Sequence, residues 1–173
     1  MRLRLLAVVM LSGTLALTAC GGGGSSSAST SKASGPTKAQ YVASTASICK
    51  QTEKRIAPLV AHLASAVPKL LGGGSAAKIA GSVEQLHAIA AAGLAKLRAL
   101  PQPAGDHARI AKFLAPLSTI VDSIAGAASG LRHGQGAQAL ATLAADQTIA
   151  KQVTRAARRY GLRQCETIFS ALG

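Results

Sequence analysis

The chain has 173 residues, a formal net charge of +13 and 49% hydrophobic residues, with two Phe, two Tyr and no Trp. This length fits a single domain. Aromatic and β-branched side chains, which suit strands, are scarce, so the composition argues against an all-β fold. Ala and Leu are strong helix formers and dominate the apolar set, so helices are favoured. The apolar fraction also argues against disorder outside local tracts.

The N-terminus has the pattern of an export signal. Arg2 and Arg4 precede an apolar run over residues 5–17. The run has signal-peptide length and is too short to cross a bilayer of about 30 Å as a helix. It ends in the sequence Leu-Thr-Ala-Cys at residues 17–20, an aliphatic residue, two small residues and a cysteine.

This ending resembles the lipobox of bacterial lipoproteins. The resemblance implies that Cys20 receives a diacylglyceryl group on its sulfur and that residues 1–19 are cleaved off as a lipoprotein signal peptide. Two acyl chains suffice for stable anchoring, so the resemblance places the protein on the extracytoplasmic face of the bacterial cell membrane. An ordinary secretory signal with an incidental Cys20 is the alternative.

A Gly- and Ser-rich stretch, residues 21–37, follows the cysteine and predicts a flexible tether. Its root-mean-square span is roughly 20–25 Å by the random-coil relation. The predicted organisation is therefore a signal peptide (1–19), a lipidated cysteine with a disordered tether (20–37), and a helical domain (38–173).

The helical domain shows four apolar stripes with the spacing of amphipathic helices. The first helix is predicted over residues 38–71, with a kink or break at Pro58. The second is predicted over residues 76–100, with Ser75 as its N-cap. The predicted stripe of the first helix consists of Val42, Ala46, Cys49, Ile56, Val60, Leu63, Val67 and Leu70.

The third helix is predicted over residues 105–131, and Pro116 is expected to kink it. Gly126 and Gly130 stand four residues apart, which predicts a close backbone approach to a neighbouring helix in a soluble bundle.

The fourth helix is predicted over residues 137–160, with Gln147 at an inner position of its stripe. Gly161 and Leu162 have the pattern of a C-terminal cap. Residues 164–172 are expected to add one or two helical turns.

Short connections between these helices imply antiparallel neighbours. The predicted fold is therefore all-α: an antiparallel up-down-up-down four-helix bundle with kinked helices and a short C-terminal helical tail.

Two cysteines remain besides Cys20. In an exported chain, an even pair invites a disulfide, and the bundle topology brings the start of helix 1 and the end of helix 4 to one pole. A Cys49–Cys165 bridge is therefore predicted. A reactive thiol pair is the alternative, although no CxxC spacing favours it.

The segments around these cysteines also resemble small, largely uncharacterised helical lipoproteins of actinobacteria and their relatives. The matching segments are Ser47-Ile48-Cys49-Lys50, residues 53–56, residues 97–103 and residues 160–165. The resemblance implies a fold and a cellular address, but no activity.

Motifs for catalysis or cofactor binding are absent from the sequence. Neither GxSxG nor HExxH nor CxxCH occurs. Asp122 and Asp146 are the only carboxylates expected near one level of facing helices, and the four histidines fall at different heights. The chain is therefore predicted not to be an enzyme, and no cofactor, metal site or catalytic residue is assigned.

Positive charge is the unusual feature of the predicted surface. One pole is expected to collect Lys50, Lys54, Arg55, Lys96, Arg98, Arg109, Lys112, Arg155, Arg158, Arg159 and Arg163. Cations favour helix C-termini, which explains only part of this set. The candidate residues for binding an anionic surface are Lys50, Lys54, Arg55, Arg155, Arg158, Arg159 and Arg163.

These observations predict a non-enzymatic envelope module whose basic pole faces anionic lipid or a wall polymer. An envelope protein is a further candidate partner. Nucleic acid is not expected, because the chain is exported and lacks aromatic stacking residues. The alternative function is a carrier of a small apolar ligand between the helices. The sequence leaves the oligomeric state open.

Overall fold

The computed structural model describes residues 35–71 and 75–171. Cys20, the predicted signal peptide and most of the predicted tether lie outside the described residues. Within those ranges every regular element is helical, which confirms the all-α prediction. The elements are α1 (Lys38–Leu71), α2 (Ala77–Ala99), α3 (His107–Arg132), α4 (Gly136–Tyr160), a 3-10 turn (Arg163–Cys165) and α5 (Glu166–Ala171).

A reciprocal capping box starts α1. The Thr37 N–H donates to Oε1 of Gln40 at 2.8 Å, and the Gln40 N–H donates to Oγ1 of Thr37 at 3.2 Å. The helix then continues through Pro58 and Pro68, and α3 likewise continues through Pro116. The alternative of a break at Pro58 is therefore wrong, since α1 is one helix on both sides of this residue.

The two predicted helix caps have different outcomes. Ser75 is not the N-cap of α2. Ala76 holds that position without a side-chain hydrogen bond, so the Ser75 hydroxyl lies one residue too early. The end of α4 is confirmed, since Gly161 adopts a φ of 107° and the Leu162 N–H donates to the Ala157 carbonyl at 2.9 Å. This is a Schellman motif, and it turns Leu162 into the core.

The central helix of the bundle is α3, which packs against both α2 and α4. By length and composition alone, α3 could cross a membrane, since it has 26 residues and a mean hydropathy of 1.3. Ten of its residues are buried, including Phe113 and Ile120, neither of which is exposed. Its hydropathy therefore reflects a position at the centre of a helical core.

The C-terminal segment closes the space between the first and last long helices. In the described part, α1 packs along α2 and against the 3-10 turn and α5, rather than along α4. At the end of the bundle, Tyr41 of α1 meets Tyr160 of α4 edge to face, with 5.9 Å between ring centroids. Ile168 and Phe169 of α5 are buried. The bundle is thus completed by the tail instead of by a full α1–α4 seam.

The buried face of α1 differs from the predicted stripe. Its buried residues are Tyr41, Thr45, Cys49, Thr52 and Ile56, of which Cys49 and Ile56 were predicted, whereas Val42, Ala46, Val60, Leu63 and Val67 are only partly buried. Thr52 tolerates burial because its hydroxyl donates to the Ile48 carbonyl of its own helix at 2.9 Å. Its side chain also occupies the space beside Gly93, where an added Cβ would lie 2.9 Å from Thr52 Oγ1.

Two further predictions about packing are wrong. Gly126 is exposed, and a Cβ there would meet nothing within 4 Å, so this glycine makes no close helix contact. Gly130 lies nearer to α4, since an added Cβ would lie 3.6 Å from that of Ala139. On α4 the buried polar residue is Asp146 and not Gln147, which is exposed. Ala139, Ala150, Val153 and Ala157 lie with Asp146 on the buried face of α4.

Candidate anion-binding site

The predicted Cys49–Cys165 disulfide is present. The two Cα atoms lie 5.3 Å apart, and both residues are buried. Cys49 lies about three turns into α1, and Cys165 ends the 3-10 turn that follows α4. The bond therefore fixes the C-terminal segment against the same end of the bundle at which α1 begins.

Two of the three predicted basic residues of α1, Lys54 and Arg55, lie away from that end. At about 1.5 Å per residue, Lys54 and Arg55 lie about 24–26 Å along α1 from Lys38, near the middle of this long helix. Both are exposed. Lys50 lines a separate open groove together with Glu53 and the C-terminal segment. Glu53 adds a carboxylate to that groove, and Lys54 and Arg55 lie too far along α1 to share a surface with Lys38.

The predicted basic residues around the end of α4 divide into paired and unpaired groups. Arg158 donates two hydrogen bonds to the Glu166 carboxylate, at 2.9 Å from Nε and 2.6 Å from Nη2. This interaction lowers the pKa of Glu166 and offsets the charge of Arg158. Arg155, Arg159 and Arg163 are exposed, and none of them forms an ion pair within the described residues.

A basic pocket of about 250 Å³ lies where the ends of three helices meet. The start of α1, the start of α3 and the end of α4 form its walls, which is the arrangement that antiparallel order dictates. We define the basic pocket by its lining residues, which are Lys38, Arg109, Lys112, Ala156, Arg159 and Tyr160. Four cationic side chains thus converge on one small concave surface.

Tyr160 forms an ordered wall of the basic pocket. Its ring packs against Tyr41 and lies 6.1 Å from Phe113, centroid to centroid. Its hydroxyl donates to Oδ2 of Asp106 at 2.8 Å. Burial, together with that hydrogen bond to a carboxylate, raises the pKa of the Tyr160 phenol, which therefore stays neutral.

Two cations of the basic pocket contact Tyr160 or its hydrogen-bond partner Asp106. Nζ of Lys38 lies 4.7 Å from the centroid of the Tyr160 ring, a cation–π geometry. Arg109 Nη1 lies 3.5 Å from Oδ1 of Asp106, a long contact, and the Arg109 side chain remains 71% exposed. Asp106 is therefore closer to the Tyr160 hydroxyl, at 2.8 Å, than to the Arg109 guanidinium, at 3.5 Å.

The basic residues that the sequence analysis collected at one pole did not include Lys38, the first residue of the first predicted helix. A signal was available, because Thr37 and Gln40 form the spacing of a capping box. That motif places Lys38 at the first position of α1 and thus in the ordered domain. Arg109 and Lys112 were correctly expected towards this pole, although not among the principal candidates.

The interior offers little room for a ligand at the disulfide. A cavity of about 20 Å³ lies between α1, α2, α3 and α5, with Cys49, Thr52, Gly93 and Phe169 among its lining residues. A volume of that size holds a single water molecule. Small-molecule sites usually occupy about 300–1,000 Å³, so this cavity does not fit an apolar cargo.

The two carboxylates considered for acid–base chemistry lie in different surroundings. Asp122 is exposed, whereas Asp146 is 4% exposed and accepts a hydrogen bond from Ser123 Oγ at 3.3 Å. Burial raises the pKa of Asp146, and its Oδ2 has no hydrogen-bond partner within the described residues. No group of three His, Cys, Asp or Glu in the described ranges is arranged to hold a metal ion.

Comparison with known proteins gave no relative. No protein-family model, curated protein or solved structure matches the chain.

Proposed function

We propose that the protein is a non-enzymatic lipoprotein, anchored through Cys20 on the extracytoplasmic face of a bacterial membrane. The bundle end that carries the basic pocket contacts an anionic surface, either lipid headgroups or a wall polymer. The observation that carries this proposal is the convergence of Lys38, Arg109, Lys112 and Arg159 on one end of the bundle.

The position of this end along the chain supports the proposal. Lys38 opens α1 directly after the predicted tether, so seventeen residues separate it from Cys20. A flexible segment of that length spans roughly 20–25 Å. An anchored domain would thus keep its basic end within reach of the membrane surface, where each well-placed cation contributes about 1 kcal/mol of attraction to anionic lipid.

The carrier function is the weaker candidate. It needs an apolar space between helices, and the cavity around the disulfide is only about 20 Å³. The basic pocket is charged and open, which suits an anion and not an apolar molecule.

Vesicle binding tests the proposed surface. The chain from residue 20 onward, carrying Cys20→Ser so that no lipid is attached, is sedimented with phosphatidylcholine vesicles with or without 30% phosphatidylglycerol. We expect at least tenfold tighter binding to the anionic vesicles at low salt. The difference shrinks towards 1 M salt, where the Debye length falls to about 3 Å. Equal binding to both vesicles would contradict the proposal.

A pair of charge-reversal variants tests which end of the bundle faces the vesicle. Arg155→Glu/Arg163→Glu changes the basic end outside the pocket, and Lys69→Glu/Lys78→Glu makes the same change in net charge at the opposite end. All four side chains are exposed, so the fold should persist. We expect the first pair to weaken anionic-vesicle binding at least tenfold more than the second. Equal losses would mean that net charge alone drives binding.

A further inference from the structure

We propose that the basic pocket is a discrete binding site for a phosphate-ester group, and not merely part of a diffuse positive surface. This inference rests on the proposed function and makes it more specific. It names the chemical group that the basic end recognises and the residues that recognise it, namely Lys38, Arg109, Lys112 and Arg159.

The charge balance of the basic pocket favours an anion of more than one charge. Four cations surround it, and Asp106 is the nearby carboxylate that contacts its walls. Within the described residues, Lys38, Lys112 and Arg159 form no ion pair. The pocket therefore holds an excess of positive charge that a bound phosphate would offset.

The donor types fit phosphate in particular. Arg109 and Arg159 each carry a planar guanidinium, whose paired N–H groups match two oxygens of one phosphate. Lys38 and Lys112 add compact ammonium donors from α1 and α3. A single carboxylate has two oxygens, whereas a phosphate offers three or four, so donors arriving from three helices are better satisfied by a phosphate.

One wall of the basic pocket is fixed before any ligand arrives. Tyr160 is held by Asp106 and by its packing against two other rings, and Lys38 lies over its face. The capping box at Thr37 also fixes the backbone that carries Lys38. Such ordering lowers the entropic cost of binding.

The basic pocket has room for the proposed group. A volume of about 250 Å³, slightly below the usual range for small-molecule sites, accommodates a phosphate with a short attached group. Such a group is a phosphate monoester, which occurs in the headgroup of phosphatidic acid and in free phosphate esters, and these two sources present the same chemistry to the pocket residues.

Two double variants of equal charge test the site. Lys112→Gln/Arg159→Gln removes two cations of the basic pocket. Lys96→Gln/Arg98→Gln removes two exposed cations from the end of α2, at the same end of the bundle but outside the pocket. Both are prepared in the unlipidated Cys20→Ser chain. Binding of sn-glycerol 3-phosphate is followed by amide chemical shifts, and binding of vesicles containing phosphatidic acid is followed by sedimentation.

We expect the pocket variant to bind the phosphatidic acid vesicles at least tenfold more weakly than the parent chain, and the α2 variant to change affinity by less than threefold. Parallel loss of glycerol phosphate binding would assign the site to free phosphate esters as well. Retention of the vesicle effect without measurable glycerol phosphate binding would assign it to lipid headgroups.

Vesicles charged with oleate to the same surface potential provide the chemical control. We expect the parent chain to prefer phosphatidic acid over oleate, and this preference to disappear in the pocket variant. Equal losses in the two double variants, or no preference for phosphate, would overturn the discrete site while leaving the basic surface in place. Absence of binding to any anionic vesicle would overturn both. Far-UV circular dichroism verifies that each variant retains its helices. If the double variant in the pocket loses its helices, the single variant Lys112→Gln replaces it in the test.

Discussion

Replacing both Cys49 and Cys165 with Ala is expected to lower the free energy of unfolding by about 4–5 kcal/mol. The bond joins residues separated by 116 positions, and constraining so long a loop removes much of the entropy of the unfolded chain. The corresponding drop in Tm for a domain of this size is about 10–20 °C. The effect is large because the closed loop spans most of the helical domain.

Denaturant titration by circular dichroism measures this effect. Reduction of the parent protein should reproduce the loss, and the double Ala variant should not respond to reductant. A loss below 1 kcal/mol, or two free thiols in the oxidised protein by alkylation and intact mass, would contradict the prediction.

Phe169→Ala is expected to cost about 3–5 kcal/mol, the range for truncating a fully buried aromatic side chain. Phe169 is 1% exposed and lines the small cavity beside the disulfide, so its removal enlarges a space that is already imperfectly filled. The six-residue helix α5 is too short to be stable alone. It depends on this contact and on the neighbouring disulfide for its place on the bundle.

Two other substitutions in α5 make the measurement specific. Thr167→Ala changes an exposed residue of the same helix and should alter stability by less than 0.5 kcal/mol. Phe169→Leu keeps an apolar side chain and should recover part of the loss. If Phe169→Ala were as mild as Thr167→Ala, α5 would not be part of the core.

The periodic apolar pattern was sufficient to predict the helices. The short connections predicted their antiparallel order, and the pair of cysteines, taken with that topology, predicted the disulfide. The apolar pattern identified Cys49 and Ile56 on the buried face of α1, but it missed the other residues of that face. Thr45 and Thr52 are polar, so a search for apolar residues at helical spacing does not select them, yet both are buried. The reason is tertiary: Thr52 satisfies its hydroxyl within α1 and fits against Gly93, a contact between helices that no local pattern records.

The sequence was sufficient to predict where the candidate site lies, but not which residues line it. The antiparallel topology places the start of α3 and the C-terminal end of α4 at one pole. It therefore brings Arg109, Lys112 and Arg159 together there. Lys38 joins them through its cation–π contact with Tyr160, a side-chain geometry that depends on the relative rotation of α1 and α4. Arg158 is not among the free cations of this end, because the carboxylate of Glu166, the first residue of α5, offsets its charge.

The most direct test of the proposed lipid-anchored bundle is the intact mass of the protein extracted with mild detergent from its own membranes. We expect a chain that begins at Cys20, lacks residues 1–19 and carries the added mass of a diacylglyceryl group. Alkylation without reductant should add nothing, because Cys49 and Cys165 are bonded. A chain that retains residues 1–19, or one with an unmodified Cys20, would contradict the proposal that this bundle is a lipid-anchored surface protein.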